Sequence, residues 1–277
     1  MKRLPWIRWI GVAFILVWTL TPLYWALNIS FQTDAQMSAI PSNYLPPTPS
    51  LKNYIALLGG AGDLSDSIRR SAVNTVVECG VATVVTVVLA TLAAYAFARM
   101  KFRGHTALFY AMLATMALPA VATLIPIYKI MSIVGLVNTY TGIILVFIAG
   151  LLPLATWILY SYMSSLPIAL EESGAVDGAN RMQVLWHIVL PLARPGIMST
   201  AIITFLSGWG YFLFPLVLSS DLSTQPLTVV IASLQGRYNT PFTLLSAAGV
   251  LALLVPAVIT LLLNRYIVNG LLTGSVK

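Results

Sequence analysis

The chain has 277 residues, of which 58% are hydrophobic and 8% charged, with a net charge of +7 at pH 7. A soluble globular domain carries about 25% charged residues, so this composition excludes a water-facing surface over most of the chain and implies a lipid-facing one. The basic residues form no run of the kind that binds nucleic acid, and the single cysteine, Cys79, allows neither an internal disulfide nor a metal site.

A bilayer-crossing helix needs about 20 mostly apolar residues. That length predicts six helices, near 9–29, 72–98, 105–128, 140–163, 196–219 and 244–264. The first follows Lys2, Arg3 and Arg8, as a cleaved signal peptide would. Its apolar core is longer than the about 7–15 residues of such a peptide, so it reads as a retained helix. The uncharged stretch 130–170 is too long for one crossing. Gly135 and Asn138 mark a turn over Ser132–Asn138, and the crossing starts near Tyr140.

Lys and Arg set the orientation, because basic residues stay preferentially in the cytoplasm. With six crossings both termini share a side. That side holds ten basic residues: Lys2, Arg3, Arg8, Arg99, Lys101, Arg103, Arg181, Arg194, Arg265 and Lys277. The other holds five: Lys52, Arg69, Arg70, Lys129 and Arg237. Both termini are therefore expected in the cytoplasm of a multi-pass cell-membrane protein. Residues 31–71, rich in proline, and 221–243, mixing strand-like residues with Pro226 and Pro241, then fall outside. The expected fold is all-α: a polytopic membrane protein with six transmembrane helices and a cytoplasmic helical hairpin. Residues 1–71 form the first helix and first outside loop, and 72–277 the transmembrane core, including the cytoplasmic loop 164–195. No internal repeat is evident.

That loop holds the most information. Pro167 suits the first turn of a helix running to about Val176. Asp177-Gly178 is a turn dipeptide in which glycine supplies positive φ. Asn180 caps a second helix, with Gln183 completing a capping box. Val184, Leu185, Ile188 and Val189 give that helix an apolar face, and Pro191 is expected to end it. Periodicity alone fits equally a hairpin docked on a protein surface and an amphipathic helix lying among lipid headgroups.

Within the spans, Glu78 is the only acid inside an apolar segment, and an intramembrane ionisable group is a functional candidate by default. Asn74 lies four residues before it on the same helical face. Glu78 also stands near the outer end of its helix, where it can reach interfacial water. Trp209, Tyr211 and Phe212 are candidates to line a solute path, or simply to pack on neighbouring helices. His105 and His187 stand alone without metal-ligand spacing, and the chain has no G-x-x-x-x-G-K-[ST] phosphate loop.

The loop resembles the EAA loop of binding-protein-dependent ABC importer permeases, a pattern of E-A-A, three residues, G, about nine residues, then I-x-L-P. Here it reads Glu172-Ser173-Gly174, then Gly178, then Ile188-Val189-Leu190-Pro191. Asp177-Gly178-Ala179 and Leu190-Pro191 match closely, while Ser173 and Gly174 depart from the two alanines. The stretch Ala93–Arg99 is similar to the carbohydrate branch of that family, the branch of the smaller maltose-type subunit. So are Leu124–Tyr128, Gly135–Tyr140, Asn53-Tyr54, and the tail Arg265–Gly270 with Thr273–Lys277. Trp209-Gly210 replaces the Trp-Asn usual in that branch, so no substrate contact carries over from that asparagine.

The resemblance implies a non-catalytic subunit. Its partners would be a second homologous permease, two ATPase subunits that bind ATP and magnesium, and an external solute-binding protein. Cofactors and metals are expected to be absent from this chain. Glu171, Glu172, Ser173, Gly174, Asp177, Gly178 and Ala179 would couple to the ATPase, with Glu171, Glu172 and Gly178 in its cleft. Leu190 and Pro191 would tie the loop to the fifth span. The implied cargo is a sugar or sugar-like solute, a disaccharide or oligosaccharide, with glycerol-3-phosphate-like cargo as an alternative. An ion-coupled secondary transporter is the rival class; it tends to show internal repeats and midplane charges.

Overall fold

The computed structural model describes residues 5–59, 62–237 and 241–272. Lys2, Arg3 and the 273–277 tail lie outside the described residues. Among the described residues every regular element is helical. Five helices are long and apolar enough to cross a membrane, within 8–30, 63–99, 140–165, 181–209 and 242–263. A bent pair, 105–117 with 120–133, counts as a sixth candidate if taken as one crossing.

The chain divides into two compact units, 1–70 with 230–255 and 71–229 with 256–277. In the first, helix α1 (Pro5–Ser30) is apolar all round, as a membrane span is. Trp9 and Trp18 are 72% and 75% exposed, surfaces suited to lipid rather than water. Two short helices follow, α2 (Asp34–Met37) and α3 (Lys52–Leu58). Side-chain amides hold the proline-rich segment between them. Asn53 donates to the carbonyls of Ser30 and Gln32 at 3.0 and 3.1 Å, and Asn28 and Gln32 both reach the Asn43 carbonyl.

The second unit is built on α4 (Asp63–Arg99, here from Ser71 onward), α5 (His105–Ala114), α6 (Ala120–Ile133) and α7 (Tyr140–Ser165). It continues through α8 (Ala169–Val176), α9 (Arg181–Val184), a π-helical turn (Leu185–Val189), α10 (Leu190–Trp209) and α11 (Leu213–Leu218). Helices α7 and α10 pack along each other, and Tyr162 of α7 lies against Gly196 of α10. A Cβ on Gly196 would sit 2.5 Å from the Tyr162 ring, so only glycine admits this approach. Small residues on α4 (Ala82, Ala90, Ala94) are fully buried and let it join the same core.

The structure corrects four expectations. The third span is not one helix over 105–128: it bends by 102°. Leu118, ahead of Pro119, is held extended at ψ 125°, and the proline starts a new helix that reaches Ile133. The turn that follows does take positive φ, at Gly135 (70°) and Asn138 (59°). Second, the fifth span does not run over 196–219. Its helix reaches back to Arg181 and ends at Trp209; Gly210, a poor helix former, opens a break before α11. Third, Pro191 does not end the second limb of the hairpin. The preceding turn widens to π geometry, with the Leu190 N–H donating to the Leu185 carbonyl, and the chain stays helical past the proline. Fourth, 221–243, expected as a loop of mixed strand-like residues and prolines, contains α12 (Leu227–Arg237), which starts immediately after Pro226. Helix α13 (Phe242–Leu272) completes the described chain.

Candidate functional site

The loop after α7 folds as a helical hairpin. Helix α8 ends in a Schellman motif: the Gly178 N–H donates to the Ala175 carbonyl at 3.1 Å, and the Ala179 N–H to the Gly174 carbonyl at 3.0 Å. Gly178 takes φ 88°, the left-handed conformation that such a cap requires. Asn180 and Gln183 form the expected capping box, at 2.8 and 2.9 Å, and start the return limb.

The return limb spends its apolar face on the chain's own core. Val184, Leu185 and Val189 are buried among Ala94 and Tyr95 of α4, Leu159, Tyr162 and Met163 of α7, and Ala193 of α10. That face is therefore covered by the chain itself and is free neither to dock on a partner nor to face lipid. Leu190 is half-buried and Pro191 exposed where the limb passes into α10. What the hairpin leaves exposed is a different set: Ile168 (54%), Val176 (87%), Met182 (59%) and Trp186 (60%). These residues mark the hairpin's open rim: Ile168 and Val176 lie on the short first limb, and Met182 and Trp186 lie on the return limb away from its buried face.

The two glutamates of the loop part company. Glu172 is exposed, as are Ser173, Asp177 and Gly178; Gly174 is buried and Ala179 half-buried. Glu171 turns inward and accepts from Arg99 Nε–H at 2.6 Å. The pair is nearly covered, with side-chain exposures of 9% and 13%. A terminal N–H group of Arg99 also donates to the carbonyls of Met163 and Leu166 at 2.8 and 3.1 Å. One guanidinium thus closes the C-terminal end of α7, where a cation is favoured, while pairing with the first turn of α8. In the sequence Arg99 read only as a topology signal. A cleft of about 800 Å³ adjoins this pair, lined by Tyr95, Lys101, Phe102, His105, Glu172 and Arg181 among others.

The opposite end of α4 carries a second polar cluster. The Asn74 side-chain amide donates to the carbonyls of Leu222 and Gln225 at 3.1 and 3.0 Å, and accepts from Tyr140 Oη–H at 2.6 Å. Thr75 Oγ1 accepts from the Leu227 N–H at 2.7 Å. Beside them, Asp221 accepts from the Ser223 hydroxyl, the Asn138 amide and the Ser223 N–H, which together hold its carboxyl below the usual carboxylate range. Glu78, one turn along α4, is fully buried, and neither carboxylate oxygen finds a partner among the described residues. It does not reach interfacial water, because packing of α4 into the core closes over it.

The aromatic candidates differ in exposure and packing. Trp209 is buried and lies 5.8 Å from the Phe205 ring. Tyr211 packs 4.9 Å from Phe147, its hydroxyl in the space a side chain at Gly150 would fill. Phe212, at 37% exposed, is the only one of the three on the surface. Among the described residues no three His, Cys, Asp or Glu side chains come together as metal ligands would.

Comparison with known proteins agrees with this architecture. Residues 67–272 match the family described as binding-protein-dependent transport system inner membrane component. The chain is 30% identical over 271 residues to the sulfoquinovosyl glycerol transport system permease protein of Agrobacterium fabrum, covering 98% of this chain and 93% of that one. It is 32% identical to the trehalose/maltose transport system permease protein of Thermococcus litoralis, covering 97% and 95%. Its fold matches a chain of the crystal structure of a bacterial ABC transporter involved in import of the acidic polysaccharide alginate, with TM-score 0.77 at 21% identity and 94% of each chain covered. A hairpin set into a bundle of apolar helices, on a chain that matches this family over most of its length, identifies the protein as a multi-pass membrane permease of the binding-protein-dependent ABC importer family.

Proposed function

We propose that this chain forms half of the translocation path of an ATP-driven importer for a glycosidic solute, a disaccharide or short oligosaccharide. The observation that carries the reading is the hairpin. It is rigidly capped at Gly178, rooted in the core of the spans, and edged by the exposed apolar side chains of Ile168, Val176, Met182 and Trp186. A surface of that kind fits a protein partner. In this reading the partner is one of two ATPase subunits, and the exposed Glu172, Ser173, Asp177 and Gly178 are presented to it. Because Val184, Leu185 and Val189 are packed on α4, α7 and α10, a push on the rim moves the spans and is not absorbed by the loop.

In the membrane, the bent pair 105–133 counts as one crossing, giving six in all. Both termini and the hairpin are cytoplasmic, as the ten-to-five distribution of basic residues favours. A second, homologous permease faces this one, and an external binding protein delivers the solute. ATP and magnesium belong to the ATPases, so the chain itself is non-catalytic and holds no cofactor. The glycosidic cargo is supported by the relatives whose names include trehalose, maltose and sulfoquinovosyl glycerol. On the solute's route stand Phe212, the exposed aromatic, and the polar Asn74 and Glu78 of α4, with Trp209 and Tyr211 near Phe212 in the chain at the fifth span's end. The test is uptake of labelled trehalose and maltose into vesicles holding the whole importer and its binding protein. ATP-dependent accumulation of either is expected; uptake that follows a proton or sodium gradient without ATP contradicts the reading.

A further inference from the structure

Helix α4 is fastened by its own side chains, at Arg99 and at Asn74 with Thr75, to other parts of the same unit. At one end Arg99 joins it to α8 through Glu171 and to the end of α7 through the carbonyls of Met163 and Leu166. At the other, Asn74 and Thr75 fasten it to the backbone of the 222–227 segment. Between these grips α4 is an unbroken helix without proline. The stretch from Asn74 to Arg99 rises roughly 38 Å at about 1.5 Å per residue, enough to span a hydrocarbon core of about 30 Å.

We propose that Arg99 is a positioning residue that locks α8 to α4, so that α4 acts as a rod carrying displacement of the hairpin to the 222–227 segment on the far side of the membrane. The inference rests on the proposed coupling of the hairpin to an ATPase, and it gives Glu171 a role different from that of Glu172. Glu171 does not meet the ATPase; it faces Arg99 and makes α8 move with α4. The chemistry suits a rigid link. A guanidinium with a covered carboxylate on one side and two helix-terminal carbonyls on another has its donors fixed in direction, and the planar fork tolerates little sliding. At the far grip the bonds that Asn74 and Thr75 make to the 222–227 segment all reach its backbone, so movement of α4 shifts the segment itself and not merely a side chain, while the Tyr140 hydroxyl of α7 donates to the remaining Asn74 oxygen.

The experiment uses the complete importer in lipid nanodiscs, which leave both membrane faces open to added reagents: this chain with its partner permease, ATPases and binding protein. Ser220, exposed beside the gripped segment, is replaced by cysteine in a Cys79→Ala chain. It is labelled with a membrane-impermeant maleimide before and after addition of ATP with vanadate. With Arg99 and Glu171 intact, the nucleotide changes the labelling rate by about fivefold or more, the lower range of ordinary allosteric coupling. Glu171→Ala is expected to remove that response while the ATPase still co-purifies. Glu171→Gln keeps an oxygen to accept from Arg99 and is expected to give an intermediate response. Asn74→Ala, at the other end of the rod, is expected to behave like Glu171→Ala. A wild-type response in Glu171→Ala overturns the proposal, and so does loss of ATPase co-purification, which would make Glu171 an ATPase contact. If the Glu171→Ala chain fails to fold and is absent from the membrane, Glu171→Gln decides: a full wild-type response there, together with one in Asn74→Ala, overturns it. Absence of any nucleotide response in the unmutated chain overturns the coupling reading beneath it, so the two failures are distinct.

Discussion

Gly174 of α8 lies directly against Ile188 of the return limb: a Cβ on Gly174 would stand 2.5 Å from Ile188 Cδ1. The absent methyl of one residue is the seat of the other. The family's pattern carries alanine at this position together with the same isoleucine of I-x-L-P, whereas in this chain the glycine leaves Ile188 the space that an alanine methyl would take. Alanine is the better helix former by about 1 kcal/mol, but here it must displace the Ile188 terminus, and overpacking costs about 1–3 kcal/mol. Gly174→Ala alone is therefore expected to be neutral or mildly destabilising. Gly174→Ala with Ile188→Val, which deletes the obstructing methyl, is expected to recover the helical gain. A double-mutant cycle on thermal unfolding in detergent should give a coupling of at least about 0.5 kcal/mol; additive effects would show that the two side chains do not compete for the same space.

Gly178 has open space where a Cβ would project, and its constraint is its φ of 88°. A left-handed residue costs most L-amino acids about 1–2 kcal/mol, asparagine less and β-branched residues more. Gly178→Asn should keep transport near the wild-type rate, whereas Gly178→Val should lose ATPase association or solute-stimulated hydrolysis at normal membrane expression. Equal transport by both variants would remove the hairpin turn from the coupling account.

Glu78 is buried with neither oxygen partnered among the described residues. An unsatisfied buried polar group costs about 1–3 kcal/mol, and an apolar replacement of similar shape recovers part of it. Glu78→Met is expected to raise the thermal unfolding temperature of the purified chain. If the same variant loses solute uptake, the acid is kept for function at a cost in stability. A lowered unfolding temperature would mean that the carboxyl has a stabilising partner.

Asp221 is exposed, and its carboxyl is held below the usual range by the Ser223 hydroxyl first, then the Asn138 amide and the Ser223 N–H. A depressed folded-state value means that the contribution to stability is complete above the unfolded value of about 3.9. It is lost as pH falls below that, through the folded value. Amide hydrogen exchange over 219–224, corrected for its intrinsic pH dependence, should stay slow at pH 5 and quicken only below about pH 4. Asn138→Leu should shift that loosening upward. Loosening centred well above the ordinary carboxylate range in the unmutated chain would show that Asp221 does not hold the segment.

Much of this was legible in the sequence, for identifiable reasons. Local chemistry fixed the hairpin: Asp177-Gly178 can turn, Asn180 with Gln183 can cap, and both do so. Hydropathy found the long crossings because each is longer and more apolar than a soluble helix. It could not find the bend at Pro119 or the break at Gly210, since apolar residues continue through both and only backbone geometry interrupts them. Pro191 misled in the opposite direction, because a single π turn absorbed what an α-helix could not. The Arg99–Glu171 and Asn74–Leu222 contacts join residues far apart in the chain. No periodicity reports such pairs, although an arginine closing an apolar helix does need an acceptor.

The most direct test of the account is ATP hydrolysis measured in three preparations: the purified chain alone, the chain with its partner permease and ATPases, and that complex with its loaded binding protein. The expected result is no hydrolysis by the chain alone and hydrolysis by the complex, stimulated when the loaded binding protein is added, with the stimulation abolished by Gly178→Val. Hydrolysis by the chain free of any ATPase, or solute accumulation by the chain alone under an ion gradient, would contradict it.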